Sequence, residues 1–261
     1  MLSDIQKQLG DHPWADKIIW LESIDSTNTY AKELAREGAA EGTVVIADHQ
    51  TEGRGRLGRS FSSPAGKGIY MSVILRPKCE PEALFHLTCC AGVAAGNAVA
   101  AVTGQTPGIK WTNDLILGKR KLGGILTELS LKFGFVDYAV VIGIGINCCQ
   151  TAEDFPEEIR DIATSLAITQ AQRFQLMAEL IRNIHLMWQN LFSEKTDYME
   201  AFRRRCVTIG QEISVIRRDQ AQQGKALDVD DNGRLLVEFS DGTRETVSSG
   251  EVSVRGMYGY V

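Results

Sequence analysis

Gly53-Arg54-Gly55-Arg56-Leu57-Gly58-Arg59-Ser60-Phe61-Ser62-Ser63-Pro64 follows an apolar, β-branched run at 43–47, and its reading decides the fold class. Gly53, Gly55 and Gly58 satisfy the spacing G-x-G-x-x-G, which after a strand points to a dinucleotide-binding fold. That fingerprint needs its glycines to open a helix whose N-terminus meets a pyrophosphate. Here Phe61-Ser62-Ser63-Pro64-Ala65-Gly66 follows, and a proline and a glycine this close together do not continue a helix. The stretch 50–63 is therefore a long loop, and a loop of that length invites a functional explanation. Its three guanidinium groups, interleaved with glycines that let backbone approach a ligand, suit a polyanion. A solvated basic loop is the plainer alternative for such a run taken alone.

Working outward, 18–24 reads as a strand, and Asp25-Ser26-Thr27-Asn28 supplies capping-type oxygens before a helical pattern that ends at Gly38. Strands are expected at 43–47 and 69–75, and a helix from about 82 to 102. Short strands follow at 109–111, 115–117, 125–131 and 138–146. Their short connections imply a largely antiparallel sheet. Phe174, Met177, Leu180, Ile181, Ile184, Trp188 and Leu191 recur at helical spacing across 172–192, one amphipathic face for core packing. A second helix, 197–205, ends in Arg203-Arg204-Arg205, read as a solvated helix end. Beyond Cys206 come β-patterned runs at 212–216, 224–229, 235–239 and 245–247, with turns at Asn232-Gly233 and Asp241-Gly242. The expectation is α+β: a mixed, mostly antiparallel sheet with helices over 1–205, and a small all-β barrel-like domain over 206–261.

The 261 residues are 44% hydrophobic and 23% charged, the balance of a globular protein with one large domain or a large and a small one. Disordered and fibrous classes are excluded. A net charge of −5 repels phosphate backbones and anionic membranes, so any anion must meet a local basic cluster. Neither the N-terminal residues, which lack a secretory pattern, nor the run at 91–102, well short of the roughly 20 residues of a membrane span, indicates export or a membrane. A cytoplasmic protein is expected. Six cysteines without C-x-x-C spacing read as reduced thiols.

Two further patterns have plainer readings. Asp228, Asp230, Asn232 and Gly233 open like a calcium loop, but Phe239 stands where a bidentate glutamate is required, so a hairpin turn is favoured. His12, His49, His86 and His185 show no metal-ligand or triad spacing, and none is assigned to catalysis.

Four elements remain that carry chemistry: the Gly/Arg loop, Lys110-Trp111-Thr112-Asn113-Asp114-Leu115 at a strand end, Lys121-Leu122-Gly123-Gly124-Ile125-Leu126-Thr127-Glu128, and Gly143-Ile144-Gly145-Ile146-Asn147. Glycine inside a strand often marks close approach of something flat or bulky. Singly, a helix cap at 26–28 and tight packing at Gly143 and Gly145 explain these residues as well. In this order, after Ser26-Thr27-Asn28, they closely resemble the biotin protein ligases over nearly the entire chain.

The resemblance implies a catalytic fold related to class II aminoacyl-tRNA synthetases and an SH3-like C-terminal barrel. It implies two-step chemistry: biotin and ATP give biotinyl-5′-AMP and pyrophosphate, and a lysine of a biotin carboxyl carrier domain then takes the biotinyl group. Lys110, Arg54 and Arg56 are implied as catalytic. Ser26, Thr27, Asn28, Gln50, Gly53, Gly123, Gly124, Gly143 and Gly145, with Arg54, Arg56 and Lys110, are implied at biotin. Arg59, Asn113 and Asn147 join Arg54, Arg56 and Lys110 at the adenylate, Asn147 facing the adenine. Asp114 is placed for an indirect Mg2+ contact. Thr112 stands where many members carry proline. The first catalytic strand begins near Ile18, so no N-terminal DNA-binding module and no operator binding are expected, and a homodimer is plausible within the family. A lipoate or octanoyl ligase and a non-catalytic biotin or nucleotide sensor are the alternatives; the Arg-rich loop and the C-terminal barrel favour biotin, and Lys110 beside the arginines disfavours an inert site.

Overall fold

Two β-rich stretches, 18–147 and 212–256, build two sheets; the central strands of the first read as near-continuous apolar runs because helices cover both faces. The computed structural model describes residues 1–131, 138–217, 220–248 and 253–256. The larger sheet has seven strands: β1 (Ile18–Ile24), β2 (Val44–Gln50), β3 (Gly68–Leu75), β4 (Gly108–Lys110), β5 (Asp114–Leu117), β6 (Arg120–Leu131) and β7 (Tyr138–Asn147). Their order is β1-β2-β3-β7-β6-β5-β4. Only β1 and β2 run parallel, joined through α2 (Thr27–Glu37); every other neighbouring pair is antiparallel. The expected mixed, mostly antiparallel sheet is what forms.

Helices cover both faces. α2 lays Ala31 and Ala35 on Val45, Ile74 and Val141, and ends at Gly38, whose left-handed backbone (φ 99°) closes the last turn. On the other face α3 (Leu87–Thr103) is built of Ala, Gly, Cys and Val and is buried nearly all round against the sheet, α4 (Gln170–Gln189) and α5 (Lys195–Arg205). The stretch Pro81–Thr103 has the length and mean hydropathy (1.5) of a membrane span, but most of it is buried in this core. Its first part is a 3₁₀ turn, Pro81–Leu84, so the α-helix starts later than the sequence pattern implied. α4 begins at a capping box: Thr169 Oγ1 accepts from Gln172 N and Gln172 Oε1 from Thr169 N. Arg173, 1% exposed, pairs with Asp48 at 2.9 Å and donates to Gly68 O, pinning α4 to β2 and β3.

Sequence reading missed α1 (Leu2–Leu9), whose Ile5 and Leu9 are buried in the core. Leu2, Ile5 and Leu9 do fall at helical spacing, but three apolar residues over eight positions are a short signal, and packing on α4 holds the helix.

The C-terminal sheet is antiparallel with five strands, β8 (Glu212–Arg217), β9 (Gln220–Val229), β10 (Leu235–Phe239), β11 (Arg244–Val247) and β12 (Ser253–Gly256), in the order β11-β10-β9-β8-β12. The last five residues of the expected small domain lie outside the described residues. The β9–β10 hairpin turns at Asn232-Gly233, where Asp230 Oδ1 accepts from the backbone of Asn232 and Arg234, as the hairpin reading required. One correction concerns the arginines ending α5. Arg203 donates to Val229 O and Asp231, and Arg205 to Val93 O and Asn97, so two of the three tie α5 to the small sheet and to α3 instead of ending in water. Val207 N donates to Ile109 O, and Trp111 donates its backbone N–H to Thr208 Oγ1 and its indole N–H to Gly233 O. The C-terminal sheet thereby buttresses the strand end that carries Lys110.

Candidate functional site

A cavity of about 420 Å³ opens between the N-terminus of α2, the loop after β2, and strands β5, β6 and β7. Its floor is polar. Ser26 occupies the N-cap position of α2 but makes no side-chain capping bond; it is 2% exposed and lines the cavity. Thr27 donates through its backbone N–H to Gln50 Oε1 at 2.9 Å, and Gln50 Nε2 donates to Ser63 Oγ at 2.9 Å. Asn28 donates to Leu126 O and to Glu128 Oε2, and its Oδ1 accepts from Ser72 Oγ at 2.6 Å. Ser72, fully buried on β3, was not singled out in the sequence, where it is one polar residue in an apolar strand.

The strand glycines make room for these groups. Gly143 pairs with Ser72 across β3 and with Leu126 across β6, and any Cβ there would overlap the Asn28 amide. At Gly145 a Cβ would lie 2.8 Å from the Phe61 ring, and at Gly123 it would overlap the Gly145 carbonyl. Something bulky does approach, and at Gly143 and Gly145 it is the protein's own Asn28 and Phe61. Gly124, Gly143 and Gly145 line the cavity; Gly53 and Gly123 stand behind it.

Residues 50–63 form no helix. Phe61 N donates to Gly53 O and Gly55 N to Arg59 O, Arg54 bridges Ser60, and a 3₁₀ turn at Arg56–Gly58 carries Leu57 in the left-handed region (φ 56°). This small hairpin brings Arg54, Arg56 and Arg59 to the cavity. Arg56 Nη1 donates to Asn113 Oδ1 at 2.9 Å; burial draws the Arg56 pKa down, and Asp114 opposes that shift. Asn113 donates in turn to Ile125 O and Asp114.

Lys110 and Asp114 are partners across the β4–β5 pair, and Lys121 Nζ lies 2.7 Å from Asp114 Oδ1. Lys121 lines the cavity with Lys110. The sequence reading quoted Lys121 without giving it a role; the available signal was a lysine two places before a glycine pair inside a strand. Asn147 is not brought to the cavity. It is buried, donating to Thr164 O and accepting from Gln150 Nε2.

Five cationic side chains, Arg54, Arg56, Arg59, Lys110 and Lys121, thus face one carboxylate, Asp114, in a chain whose net charge is negative. Phe61, Tyr70, Trp111, Ile125, Leu126 and Ile144 supply apolar wall, so the cavity suits a ligand with an apolar body and an anionic end. Among the described residues no group of three or more His, Cys, Asp or Glu could hold a metal by itself.

Residues 20–147 match the family model described as the biotin/lipoate A/B protein ligase family, and 208–255 match the biotin protein ligase C-terminal domain. The bifunctional ligase/repressor BirA of Bacillus spizizenii is 36% identical over 255 residues, 95% of this chain and 77% of the relative. The biotin--[acetyl-CoA-carboxylase] ligase of Mycobacterium tuberculosis is 35% identical over 240 residues, 87% of this chain and 85% of that protein. A biotin protein ligase from Aquifex aeolicus, solved with biotin and ATP, superposes with a TM-score of 0.78 at 29% identity, covering 92% of this chain and 98% of that one. From the two matched models and the extent of these similarities, the chain belongs to the biotin protein ligase family.

Proposed function

We propose that the chain, an ATP-dependent biotin ligase, joins biotin to ATP in this cavity and passes it to a lysine of a biotin carboxyl carrier domain. The observation that carries the reading is the cationic cluster set against a polar floor and apolar, glycine-lined walls in an otherwise acidic protein. In the first step a biotin carboxylate oxygen attacks the α-phosphorus of ATP and pyrophosphate leaves. Both reactants are anions, and fixed guanidinium and ammonium groups offset their repulsion and the charge that builds at phosphorus. Lys110, Arg54 and Arg56 take this role, and Lys121, across Asp114 from Lys110, joins them. In the second step the carrier lysine attacks the acyl carbonyl and AMP leaves.

Ser26, Thr27, Asn28 and Gln50 present hydroxyl and amide groups to the polar ring of biotin, with Gly124, Gly143 and Gly145 against its body; Gly53 and Gly123 act by letting Phe61, Ser63 and the β7 backbone close in behind. Arg59 and Asn113 stand at the nucleotide side. Asn147 would support an adenine pocket only indirectly, by tying the end of β7 to residues 164–166, since its amide is engaged with Thr164 and Gln150 and its backbone O accepts from Leu166 N.

The donor set fits Mg2+ only as a companion of the nucleotide. Asp114 is one carboxylate already held by Lys121, and magnesium commonly rides on substrate phosphates with one or two protein carboxylates. Magnesium would neutralise phosphate charge, while Asp114 orients Lys121.

The division at 205/206 is supported by α5 ending at Arg205 and by the C-terminal model matching from residue 208. Homodimerisation at a sheet edge is supported by β1 lying last in the sheet order. Cytoplasmic operation is supported by six free thiols. We propose no operator binding, supported by the net negative charge; a gel shift at moderate salt should stay blank, and a sequence-specific shift overturns this.

The deciding experiment is pyrophosphate release from ATP with biotin, with lipoate and with neither, followed by transfer of labelled biotin to a carrier domain. Release that requires biotin, with transfer, is expected. Release only with lipoate overturns the substrate, and silence in all three favours a sensor.

A further inference from the structure

Glu128, on β6 and one-fifth exposed, has no part in the roles above, yet its two oxygens divide between the cavity floor and the Gly/Arg loop. Oε2 accepts from Asn28 Nδ2 at 3.0 Å. Oε1 takes Lys32 Nζ at 2.7 Å and lies 3.5 Å from Arg54 Nη2. Each side of the Asn28 amide is spoken for: the nitrogen donates to Leu126 O and Glu128, and the oxygen accepts from Ser72. The Ser72 hydroxyl could serve either end of the amide, but turning it over would set its oxygen against the Leu126 carbonyl and the Glu128 carboxylate, so these two acceptors fix its orientation. Arg54, for its part, shares the cavity with Arg56, Arg59, Lys110 and Lys121. Like charges push it outward, and the Glu128 carboxylate beside it draws it back.

We propose that Glu128 is a positioning residue of the ligase reaction, fixing the Asn28 amide at the floor and holding Arg54, and with it the Gly/Arg hairpin, against that floor. The idea rests on the reading of the cavity as the biotin and adenylate site. Burial would raise the Glu128 carboxyl, but hydrogen bonds from Lys32 and Asn28 and the charges of Lys32 and Arg54 outweigh it and hold the group below the ordinary carboxylate value, so it is anionic at neutral pH. The two oxygens make separable predictions, because a glutamine keeps an acceptor for Asn28 and loses the charge that holds Arg54.

The test compares wild type, Glu128→Gln, Glu128→Ala, Arg54→Met and the Glu128→Gln/Arg54→Met double variant. Steady-state pyrophosphate release gives kcat and the KM for biotin; rapid gel filtration after one turnover gives the rate at which biotinyl-AMP leaves; thermal melts report folding. Glu128→Gln should speed loss of biotinyl-AMP about fivefold, the scale of a partly exposed ion pair, with KM for biotin within about twofold. Glu128→Ala should do the same and also raise KM about tenfold, the scale of one charged hydrogen bond to the floor. In the Arg54→Met background Glu128→Gln should change intermediate loss by less than about twofold, since coupled residues are non-additive. Equal effects of Glu128→Gln in both backgrounds, unchanged retention, or equal KM rises in the Gln and Ala variants overturn the positioning role. If Glu128→Ala fails to fold, the Gln variant and the double variant still decide. A wild type that makes no biotin-dependent pyrophosphate fails the reading of the site itself, and the proposal falls with it; losses seen only among the variants concern Glu128 alone.

Discussion

Arg56 Nη1 donates to Asn113 Oδ1 at 2.9 Å, and this bond ties the Gly/Arg hairpin to the turn that follows Lys110. The two residues are far apart in sequence and belong to separate elements, so the bond closes one side of the cavity. A reactive mixed anhydride survives only where water is kept out. Arg56→Gly should therefore let biotinyl-AMP escape at least about tenfold faster, the scale of one lost charged hydrogen bond, and label bystander lysines. Adenylate retention by rapid gel filtration checks this; retention equal to wild type would sink the role.

Lys110 and Lys121 approach Asp114 from different strands, Lys110 as its β-pair partner and Lys121 through a 2.7 Å ion pair. Preorganised cations at developing charge are worth about 10²–10³ in rate. Lys110→Ala and Lys121→Ala should each lower adenylation by that order, with carrier transfer from preformed biotinyl-AMP affected less. Near-normal pyrophosphate release by Lys110→Ala would remove it from the catalytic set and leave Lys121.

Asp114→Asn keeps the shape of the side chain and removes its charge. Lys121 then loses its anionic partner, and magnesium on the phosphates would lose the nearby carboxylate charge that offsets the cations around it. The half-saturating magnesium concentration should rise at least about tenfold, the low end of the roughly 1.5–3 kcal/mol of a charged contact. A magnesium titration and transfer rate matching wild type would confine Asp114 to holding the turn.

Gly143→Ala places a methyl group inside the Asn28 amide. Overpacking of this kind costs about 1–3 kcal/mol, and Asn28 must leave Ser72 and Glu128 to make room. The melting temperature should fall by several degrees, about 2–4 °C per kcal/mol at this size, and the KM for biotin should rise. Adding Asn28→Ala should restore the melting temperature and leave biotin binding weak. If the double variant melts as low as the single one, Asn28 is not what Gly143 accommodates.

The antiparallel sheet, the strands and the loop were legible because alternation, turn residues and Pro64 are local signals. The residues that line the cavity were legible only as a set, through their order along the chain. What stayed hidden depends on pairing across the sheet. Asn28 meets Glu128 because α2 crosses β6, Ser72 matters because β3 lies beside Gly143, and Lys121 reaches Asp114 because β5 lies beside β6. No short window of sequence holds both partners of the first two pairs, and the third depends on the register of the β5–β6 hairpin. The capping box at Thr169 and Gln172 was a local signal and was overlooked, which put the start of α4 two residues late.

His12 and His185, unassigned in the sequence, meet in the fold: His12 Nε2 and His185 Nδ1 are 3.1 Å apart, and the His185 ring packs on Trp14 at 4.6 Å. Trp14 N donates to His12 Nδ1, so the His12 proton sits on Nε2 and is donated to His185 Nδ1; protonating either ring breaks one of these two bonds. Burial, then His185 and Arg182, bring the His12 pKa down to about 4, and burial also lowers that of His185, against Glu41. A histidine whose folded pKa is depressed binds its proton first in the unfolded chain. The stability it contributes is present above pH 6.5, the ordinary histidine value, and is lost as pH falls from there toward 4. Since His12 follows α1 and His185 lies on α4, acid should loosen the N-terminal segment from α4 first. The melting temperature of wild type should fall between pH 6.5 and about 4.5 more steeply than that of His12→Gln, whose amide does not titrate there. Hydrogen exchange in α1 should quicken over the same interval in wild type. Parallel melting profiles for the two proteins would mean that the pair is packed together without being linked to protonation.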